Sequence, residues 1–328
     1  MNEYETKTEQ SDFTRRDFIK GGSFATLMTL MGGVELVAQT PPEKPAEAKP
    51  PGPKIKCAVI GLGPWGREIM GTLLRLPQAE LSVICDNYAA SVKRAANAAP
   101  SAKTTEDYKT ILDDKEIGAV FIATPSHLHK DIAVAALQAG KHVYCEAPLA
   151  STVEDTRAIA QAAKAAVKQV FQPGLQMRSD PHLHFLLPFV RSGAAGKIAM
   201  ARAQWHKKQS WRFTSPNPDR ETALNWRLKQ ETSPGLIGEI GIHQLDQAAW
   251  FLNARPMSVT GFGSIMRVEK DDRDVADTIQ AMVEFPEGLR WTYDCTLANS
   301  FDGQYEVYYG SDAAILVREN KAWMFKEV

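Results

Sequence analysis

The chain has 328 residues, of which 44% are hydrophobic and 23% are charged, and its formal net charge is -1. This is the composition of a soluble globular protein with room for two domains, and the near-zero charge gives no electrostatic reason to expect nucleic acid or an anionic membrane as a partner. The four cysteines are widely spaced, which favours buried free thiols over a disulfide framework: Cys57, Cys85, Cys145 and Cys295.

The first 54 residues are typical of a leader and a linker. Residues 14 to 20 read TRRDFIK and precede a glycine-rich, weakly apolar stretch, GGSFATLMTLMGGV, which is too short to span a bilayer as a stable helix. The pattern predicts a twin-arginine signal peptide over residues 1–39, and so a periplasmic or otherwise exported protein, with a basic disordered tail as the alternative. The Pro-rich residues 40–54 are interpreted as a linker. Because this route takes folded proteins, folding or cofactor loading is expected to precede export.

The folded part begins with a strand that runs into a glycine-rich turn, KIKCAVIGLGPWGREIM. Gly61 allows the tight turn, Gly63 lets the backbone approach a pyrophosphate, and Gly66 lets the following helix pack on its strand. Pro64 and Trp65 stand between the second and third glycines and are predicted to contact the same ligand. The amides and dipole of the helix N-terminus favour a bound phosphate.

The second strand, LSVIC, ends at Asp86, 20 residues beyond Gly66. A carboxylate at this distance is placed to bind the ribose hydroxyls of adenosine and to repel a 2'-phosphate. The sequence therefore predicts NAD rather than NADP as the cofactor. The alternative interpretation of Asp86 is a solvated turn residue.

Helices and strands continue to alternate up to residue 172. The segments SVKRAANAA and YKTILDD predict helices, IGAVFIATP predicts a buried strand that ends at Thr124 and Pro125, SHLHKDIAVAALQAG predicts a helix, and KHVYCEAP predicts a further strand. This alternation predicts a parallel, doubly wound α/β sheet, an NAD-binding Rossmann domain over residues 55–172.

The rest of the chain predicts a second, substrate-binding and oligomerisation domain over residues 173–328. An alanine-rich helix predicted over residues 152–170 leads to a strand, a helix and a long strand that opens at Gly196. The later segments MSVTGFGSIMR, DTIQAMVEF, LRWTYDCTLA, QYEVYYG and AAILVREN alternate as half-buried antiparallel strands do, with turns at 286–288 and 310–312. We expect an α+β domain with an open, mostly antiparallel sheet.

The segment TSPGLIGEIGIHQLDQAAWFLNARP predicts the catalytic element. In a helix, Glu239, His243 and Asp246 share one stripe, so the carboxylates can orient the histidine ring as a general base requires. Asp246 is also predicted to contact substrate. The alternative is an ordinary helix whose polar face meets water.

A long segment between Trp205 and Ser233 mixes aromatic and basic residues. Aromatic faces stack on sugar rings and cations bind hydroxyls or carboxylates, so Lys207, Trp211 and Trp226 are predicted to contact substrate at the rim of a cleft. The alternative is that the tryptophans fill the junction between domains.

Other classes of site are not indicated. No Cys/His spacing predicts a metal centre, and there is no phosphate-binding loop ending in Gly-Lys-Ser/Thr and no Gly-x-Ser-x-Gly elbow.

Taken together, IGLGPWG, VICD, VFIATPSHLH, AALQAGKHVYCEAPLA and GEIGIHQLDQAAWFL resemble the glucose-fructose oxidoreductase, inositol dehydrogenase and rhizopine catabolism (Gfo/Idh/MocA) family. The resemblance runs from about Lys54 to the C-terminus. It implies that His129 and Arg178 lie near the cofactor and that Glu146 binds the nicotinamide ribose. It also implies a homodimer or homotetramer through the outer face of the open sheet, and a closing element after the final KAWMFKEV.

One position departs from that resemblance. Most dehydrogenases of the family carry Glu-Lys-Pro where this chain has Glu146, Ala147 and Pro148, and their lysine assists proton transfer. Loss of a positioned acid or base costs on the order of 100-fold to 10,000-fold in rate. Either His243 and Glu239 handle the proton alone, or a lysine such as Lys207 reaches in, or the reaction is not a simple dehydrogenation.

We therefore expect an exported, NAD-retaining oxidoreductase that acts on a sugar or sugar derivative. The resemblance leaves two alternatives open. One is a redox-neutral NAD-dependent glycosidase or lyase, and the other is an inactive sugar- or nucleotide-binding relative.

Overall fold

The computed structural model describes residues 28–37, 52–266, 271–319 and 321–327. The twin-arginine run at 14–20 and most of the predicted linker lie outside these residues. Within the described ranges no helix has the length and apolar character needed to cross a membrane.

The first described strand, β1 (Val34–Glu35), pairs antiparallel with the last strand of the chain. Leu36 N donates to Ala322 O at 2.7 Å, and Lys321 Nζ lies 3.1 Å from Glu35 Oε1. The end of the predicted signal peptide therefore lies along a sheet edge. This strand was not predicted, because edge pairing of two residues leaves no local periodicity.

The first sheet has six parallel strands in the order β4-β3-β2-β5-β6-β7. They are β2 (Ile55–Ile60), β3 (Ala79–Cys85), β4 (Lys103–Thr105), β5 (Ala119–Ile122), β6 (His142–Glu146) and β7 (Phe171–Gly174). Between them lie α1 (Pro64–Leu73), α2 (Ala89–Ala98), α3 (Lys109–Asp113), α4 (His129–Gln138) and α5 (Val153–Ala165).

Helices cover both faces of this sheet. Along β2, Cys57 and Val59 face one apolar cluster while Ala58 and Ile60 face another, which explains the unbroken apolar run of a doubly wound strand. The predicted parallel fold is confirmed. The sequence missed β4, because this short strand is polar and lies at the edge of the sheet. The helix predicted up to residue 170 ends at Ala165.

The second sheet has eight strands in the order β1-β14-β13-β12-β8-β11-β10-β9. They add β8 (Ile198–His206), β9 (Ser258–Ser264), β10 (Thr278–Glu284), β11 (Arg290–Thr296), β12 (Gln304–Gly310), β13 (Ala313–Arg318) and β14 (Lys321–Lys326). Strands β8 and β11 run parallel, and the other neighbours are antiparallel. The predicted mostly antiparallel sheet and both predicted turns are confirmed.

Helices α6 (Pro181–Arg191) and α8 (Ile242–Leu252) pack on one face of the second sheet. The core there includes Trp291, Tyr293 and Phe251, each 1% exposed. At the far edge, β9 is exposed at every position. The sheet is open on that side, as predicted. The four cysteines are buried and free, which confirms the prediction of unpaired thiols.

Candidate active site

The turn after β2 has the geometry that a bound pyrophosphate requires. Gly61 has φ +95, and a Cβ on Gly66 would lie 1.9 Å from Gly61 O, so neither position accepts a larger residue. A Cβ on Gly63 would meet no atom within 4 Å, which leaves room beside the backbone for a ligand. Helix α1 then begins at Pro64 with no side-chain cap on its first amides. This turn fits NAD.

Two alanine variants of this turn should behave oppositely. Gly66→Ala should prevent the turn from closing and lower the free energy of unfolding by several kcal/mol, because its methyl group would overlap the Gly61 carbonyl. Gly63→Ala should unfold at nearly the wild-type temperature and bind NAD at least tenfold more weakly, because its methyl group would fill the ligand space. Thermal unfolding and NAD titration measure both effects. Equal unfolding temperatures for the two variants would contradict the structure of this turn.

Asp86 joins the end of β3 to the glycine turn. Its Oδ2 accepts from Leu62 N at 2.8 Å, and its Oδ1 accepts from Tyr88 N at 2.9 Å. Each carboxylate oxygen keeps a further lone pair. Asp86 is therefore held at the edge of the turn with acceptor capacity left for ribose hydroxyls.

The turn after β5 is tied to the turn after β6 by His129. This histidine is 1% exposed. Its Nδ1 lies 3.0 Å from Pro148 O and its Nε2 lies 2.8 Å from Thr124 O. Both ring nitrogens are taken up by backbone carbonyls, so His129 positions the two turns. Thr124 Oγ1 is buried without a hydrogen-bond partner among the described residues, which leaves it open to a ligand next to Pro125.

Glu146 is fixed at the end of β6. Tyr144 Oη donates to Glu146 Oε1 at 2.7 Å. Burial raises the pKa of Glu146 above its ordinary value. The peptide bond between Ala147 and Pro148 is cis. Ala147 is partly exposed and places only a methyl group at this edge.

The segment that leads into α8 is not the regular helix that was predicted. Residues Ile237–Gly241 form a π-helical turn, and the α-helix starts only at Ile242. Such turns recur at functional sites. The turn takes Glu239 off the predicted stripe with His243 and Asp246, since that stripe assumed 3.6 residues per turn throughout.

Glu239 is 6% exposed and bonds across the two halves of the chain. Its Oε1 accepts from Ser126 Oγ at 3.2 Å and from Ser233 Oγ at 3.0 Å. Its Oε2 accepts from Arg227 Nε at 3.2 Å. Burial raises the pKa of Glu239, and the Arg227 charge opposes that shift. Glu239 therefore holds the π-helical turn against the turn that follows β5.

His243 lies in the first turn of α8. Its Nδ1 is buried and has no hydrogen-bond partner among the described residues. The predicted orientation of this ring by its neighbouring carboxylates is therefore wrong for Nδ1. Burial lowers the pKa of His243 below 6.5, and Asp246 opposes that shift. A neutral imidazole of this kind can accept a proton at neutral pH.

Asp246 is bound by Arg178, which lies in a short turn after β7. Arg178 Nε and Nη2 donate to Asp246 Oδ2 and Oδ1 at 2.7 and 2.8 Å, and the guanidinium lies 5.3 Å from the centre of the Trp250 ring. Arg178 was predicted to contact the cofactor. The structure instead pairs its guanidinium with Asp246, which was predicted to contact substrate.

The three residues of the long segment that were predicted to contact substrate lie in different environments in the structure. Trp211 is 8% exposed and packs in the core of the second sheet rather than at the junction between domains. Lys207 is exposed. Trp226 lies at the junction, with its ring centroid 6.2 Å from that of His127.

Sequence reasoning missed Ser126 and Ser233 at this site, and it placed Arg227 only among the basic residues of the long segment and not beside Glu239. Ser126 directly follows the Thr-Pro pair, and that position was the one available signal. Ser233 and Arg227 carry no pattern, because only the fold brings them to Glu239.

Comparison with known proteins agrees with this arrangement. Residues 55–173 match the oxidoreductase family with an NAD-binding Rossmann fold, GFO_IDH_MocA, and residues 188–315 match the GFO/IDH/MocA C-terminal domain.

Two curated relatives are dehydrogenases. Levoglucosan dehydrogenase of Pseudarthrobacter phenanthrenivorans is 31% identical over 59% of this chain and 53% of its own length. Inositol 2-dehydrogenase of Salmonella typhimurium is 29% identical over 61% of this chain and 55% of its own length. The chain thus spans just over half the length of these two relatives.

Solved structures have a similar fold over most of this chain. Levoglucosan dehydrogenase in complex with NADH and levoglucosan has a TM-score of 0.69 at 26% identity, over 81% of this chain and 73% of that one. An oxidoreductase domain protein from Kribbella flavida has a TM-score of 0.70 at 26% identity, over 81% of this chain and 74% of that one. The glycine turn, the paired sheets and both family matches lead to one conclusion: the chain belongs to the Gfo/Idh/MocA family of NAD-binding oxidoreductases.

Proposed function

We propose that this chain is an NAD-retaining oxidoreductase that acts on a hydroxyl group of a sugar or cyclic polyol. The observation that carries the proposal is the bond between Ser126 and Glu239. It brings the start of α8, and with it His243, to the carboxyl edge of the first sheet, where such folds hold their ligands. Bound NAD supplies the acceptor for hydride.

Residues of the chain supply proton transfer and substrate binding. His243 takes the hydroxyl proton, since burial favours the neutral ring at neutral pH. Two hydrogen bonds from Arg178 hold the Asp246 carboxylate in place. Asp246 then accepts a hydrogen bond from a substrate hydroxyl. The exposed Lys207 and the ring of Trp226 provide a cation and an apolar face for a sugar.

Ala147 favours a second candidate, a redox-neutral NAD-dependent glycosidase or lyase. A methyl group neither holds a proton nor polarises an oxygen, so a net dehydrogenation loses one acid or base at this turn. A reaction without net oxidation would also need no external cofactor pool after export.

One preparation tests both candidates. The purified protein is denatured and the released nucleotide is identified, and the native protein is then assayed with sugars, inositols, levoglucosan and aryl glycosides. NADH formation supports the dehydrogenase, and glycoside cleavage without net NADH supports the redox-neutral enzyme. Protein that carries no nucleotide and turns over none of these compounds would contradict both candidates and leave an inactive binding relative.

We further propose that the protein is exported through the twin-arginine route, as its TRRDFIK run indicates. Replacement of Arg15 and Arg16 by lysine should keep the protein in the cytoplasm, which fractionation measures. Export of that variant at the wild-type level would contradict the proposal.

We also propose self-association as a dimer or tetramer through the open sheet. Strand β9 supports this, since Val259 is 70% and Phe262 is 84% exposed there. Analytical ultracentrifugation measures the assembly, and a monomer at micromolar concentration would contradict it.

A further inference from the structure

Residues 211–228 form a self-braced loop, which we call the strap. Its ends are fixed in the core of the second sheet, since Trp211 is 8% and Leu228 0% exposed. Between them lies the short helix α7 (Pro218–Leu224). Asn225 Oδ1 accepts from Phe213 N at 2.8 Å, and Asn225 Nδ2 donates to Phe213 O at 2.9 Å.

A second bond network holds α7 within the strap. Glu221 Oε1 accepts from Arg212 Nη2 at 2.8 Å and Glu221 Oε2 accepts from Ser215 N at 3.0 Å. Asn217 caps the helix by accepting from Arg220 N at 3.0 Å. The strap therefore has a defined conformation that sets where Arg220 points.

The strap meets the first sheet at two places. The Arg220 guanidinium carbon lies 4.1 Å from the centre of the Tyr88 ring, just after β3. The Trp226 ring lies 6.2 Å from the His127 ring, just after β5. In this sheet β2 lies between β3 and β5. The strap therefore contacts both sides of the edge at which β2 and the glycine turn end.

The contact between Arg220 and Tyr88 lies beside Asp86, the residue expected to bind the adenosine ribose. Tyr88 N donates to Asp86 Oδ1 at 2.9 Å, so its ring starts two residues from the carboxylate placed for the ribose. Arg220 Nε is buried without a hydrogen-bond partner among the described residues. A planar guanidinium with an unused N–H, stacked on a ring, suits the polar edge of a purine or a ribose oxygen.

We propose that Arg220 and Tyr88 form a clasp that closes the strap over the adenosine half of NAD and slows its release. This inference rests on the proposed retention of NAD and gives that retention a physical cause. For the nucleotide to leave, the stacked pair must separate and the strap must lift from the glycine turn.

Dissociation of NADH from the full chain tests the clasp. Protein loaded with NADH is mixed with excess NAD, and the loss of bound NADH fluorescence gives the release rate. Arg220→Ala should release NADH about tenfold faster, which is the range of a partly desolvated cation–π contact. Arg220→Lys should fall between, because lysine keeps the charge and loses the planar stack. Arg94→Ala removes an exposed arginine of α2 and should release NADH at the wild-type rate.

Fragments of the cofactor locate the effect. Arg220→Ala should weaken ADP-ribose by the same factor as NADH and leave nicotinamide mononucleotide unchanged. If Arg220→Ala folds poorly, Tyr88→Leu removes the other partner of the contact. The same changes in affinity for the three ligands are then expected. Equal release rates in Arg220→Ala and the wild type, with NADH bound by both, would overturn the clasp and leave the proposed oxidoreductase standing. A wild-type chain that binds no NADH would overturn both.

Discussion

Replacement of His243 by alanine should lower turnover on the order of 100-fold to 10,000-fold while NAD stays bound. The imidazole is the group assigned to the substrate proton, and the glycine turn and Asp86 that hold the nucleotide lie on other elements. Steady-state kinetics and nucleotide content measured on one preparation test both halves of this statement. Turnover near the wild-type rate would remove His243 from the reaction.

The pH profile gives an independent check on His243. Burial lowers the pKa of its ring below 6.5, so the neutral form that accepts a proton persists to lower pH than in an ordinary histidine. Activity should be constant near neutrality and fall as the pH drops through that lowered pKa. In His243→Asn the residual activity should lack this acidic limb. Substitution of His142, at the start of β6, should leave the limb in place.

Replacement of Glu239 by alanine should cost about 2–4 kcal/mol of stability and most of the activity. The carboxylate accepts hydrogen bonds from two serines that are each 2% exposed, and a buried hydroxyl without a partner costs about 1–3 kcal/mol. Arg227 is 43% exposed and can turn to water, so its ion pair adds little. Thermal or urea unfolding measures the loss.

Glu239→Gln separates a positioning role from proton transfer. The glutamine oxygen can still accept from Ser126 and Ser233, but the amide cannot take up a proton as a base. If Glu239 positions the start of α8, this variant should keep at least a tenth of wild-type turnover and an unchanged pH profile. A loss as large as in His243→Ala would show that the carboxylate carries a proton. Ser126→Ala should cost about 1 kcal/mol, as one lost hydrogen bond does.

The alanine at position 147 affects how the His243 and Glu239 variants are interpreted. Its partly exposed methyl group stands at the end of β6, in a turn that His129 holds against the turn after β5. The proton-handling side chains proposed for this site therefore come from the second half of the chain. A loss in Glu239→Ala then reflects displacement of His243, because the two residues lie on successive turns of one segment.

The sequence by itself determined the first sheet except its edge strand β4, the glycine turn and the location of His243. These features depend on local rules: a strand followed by Gly61, Gly63 and Gly66, alternating helices and strands, and a carboxylate at Asp86. The family resemblance came from such short runs. The π-helical turn was not predicted, because a helical wheel assumes one period throughout and the extra residue shows only in the backbone.

Only the tertiary structure decided which side chains meet. Glu239 bonds to Ser126 across 113 residues and Arg178 to Asp246 across 68, while Arg220 stacks on Tyr88 from a separate domain-crossing loop. No periodicity encodes such pairs, since they depend on how elements that are distant in the sequence pack together. The chemistry of a carboxylate is known from the sequence, but its partners are set by the fold. Glu239 was therefore predicted to orient a histidine. In the structure it joins the two halves of the site.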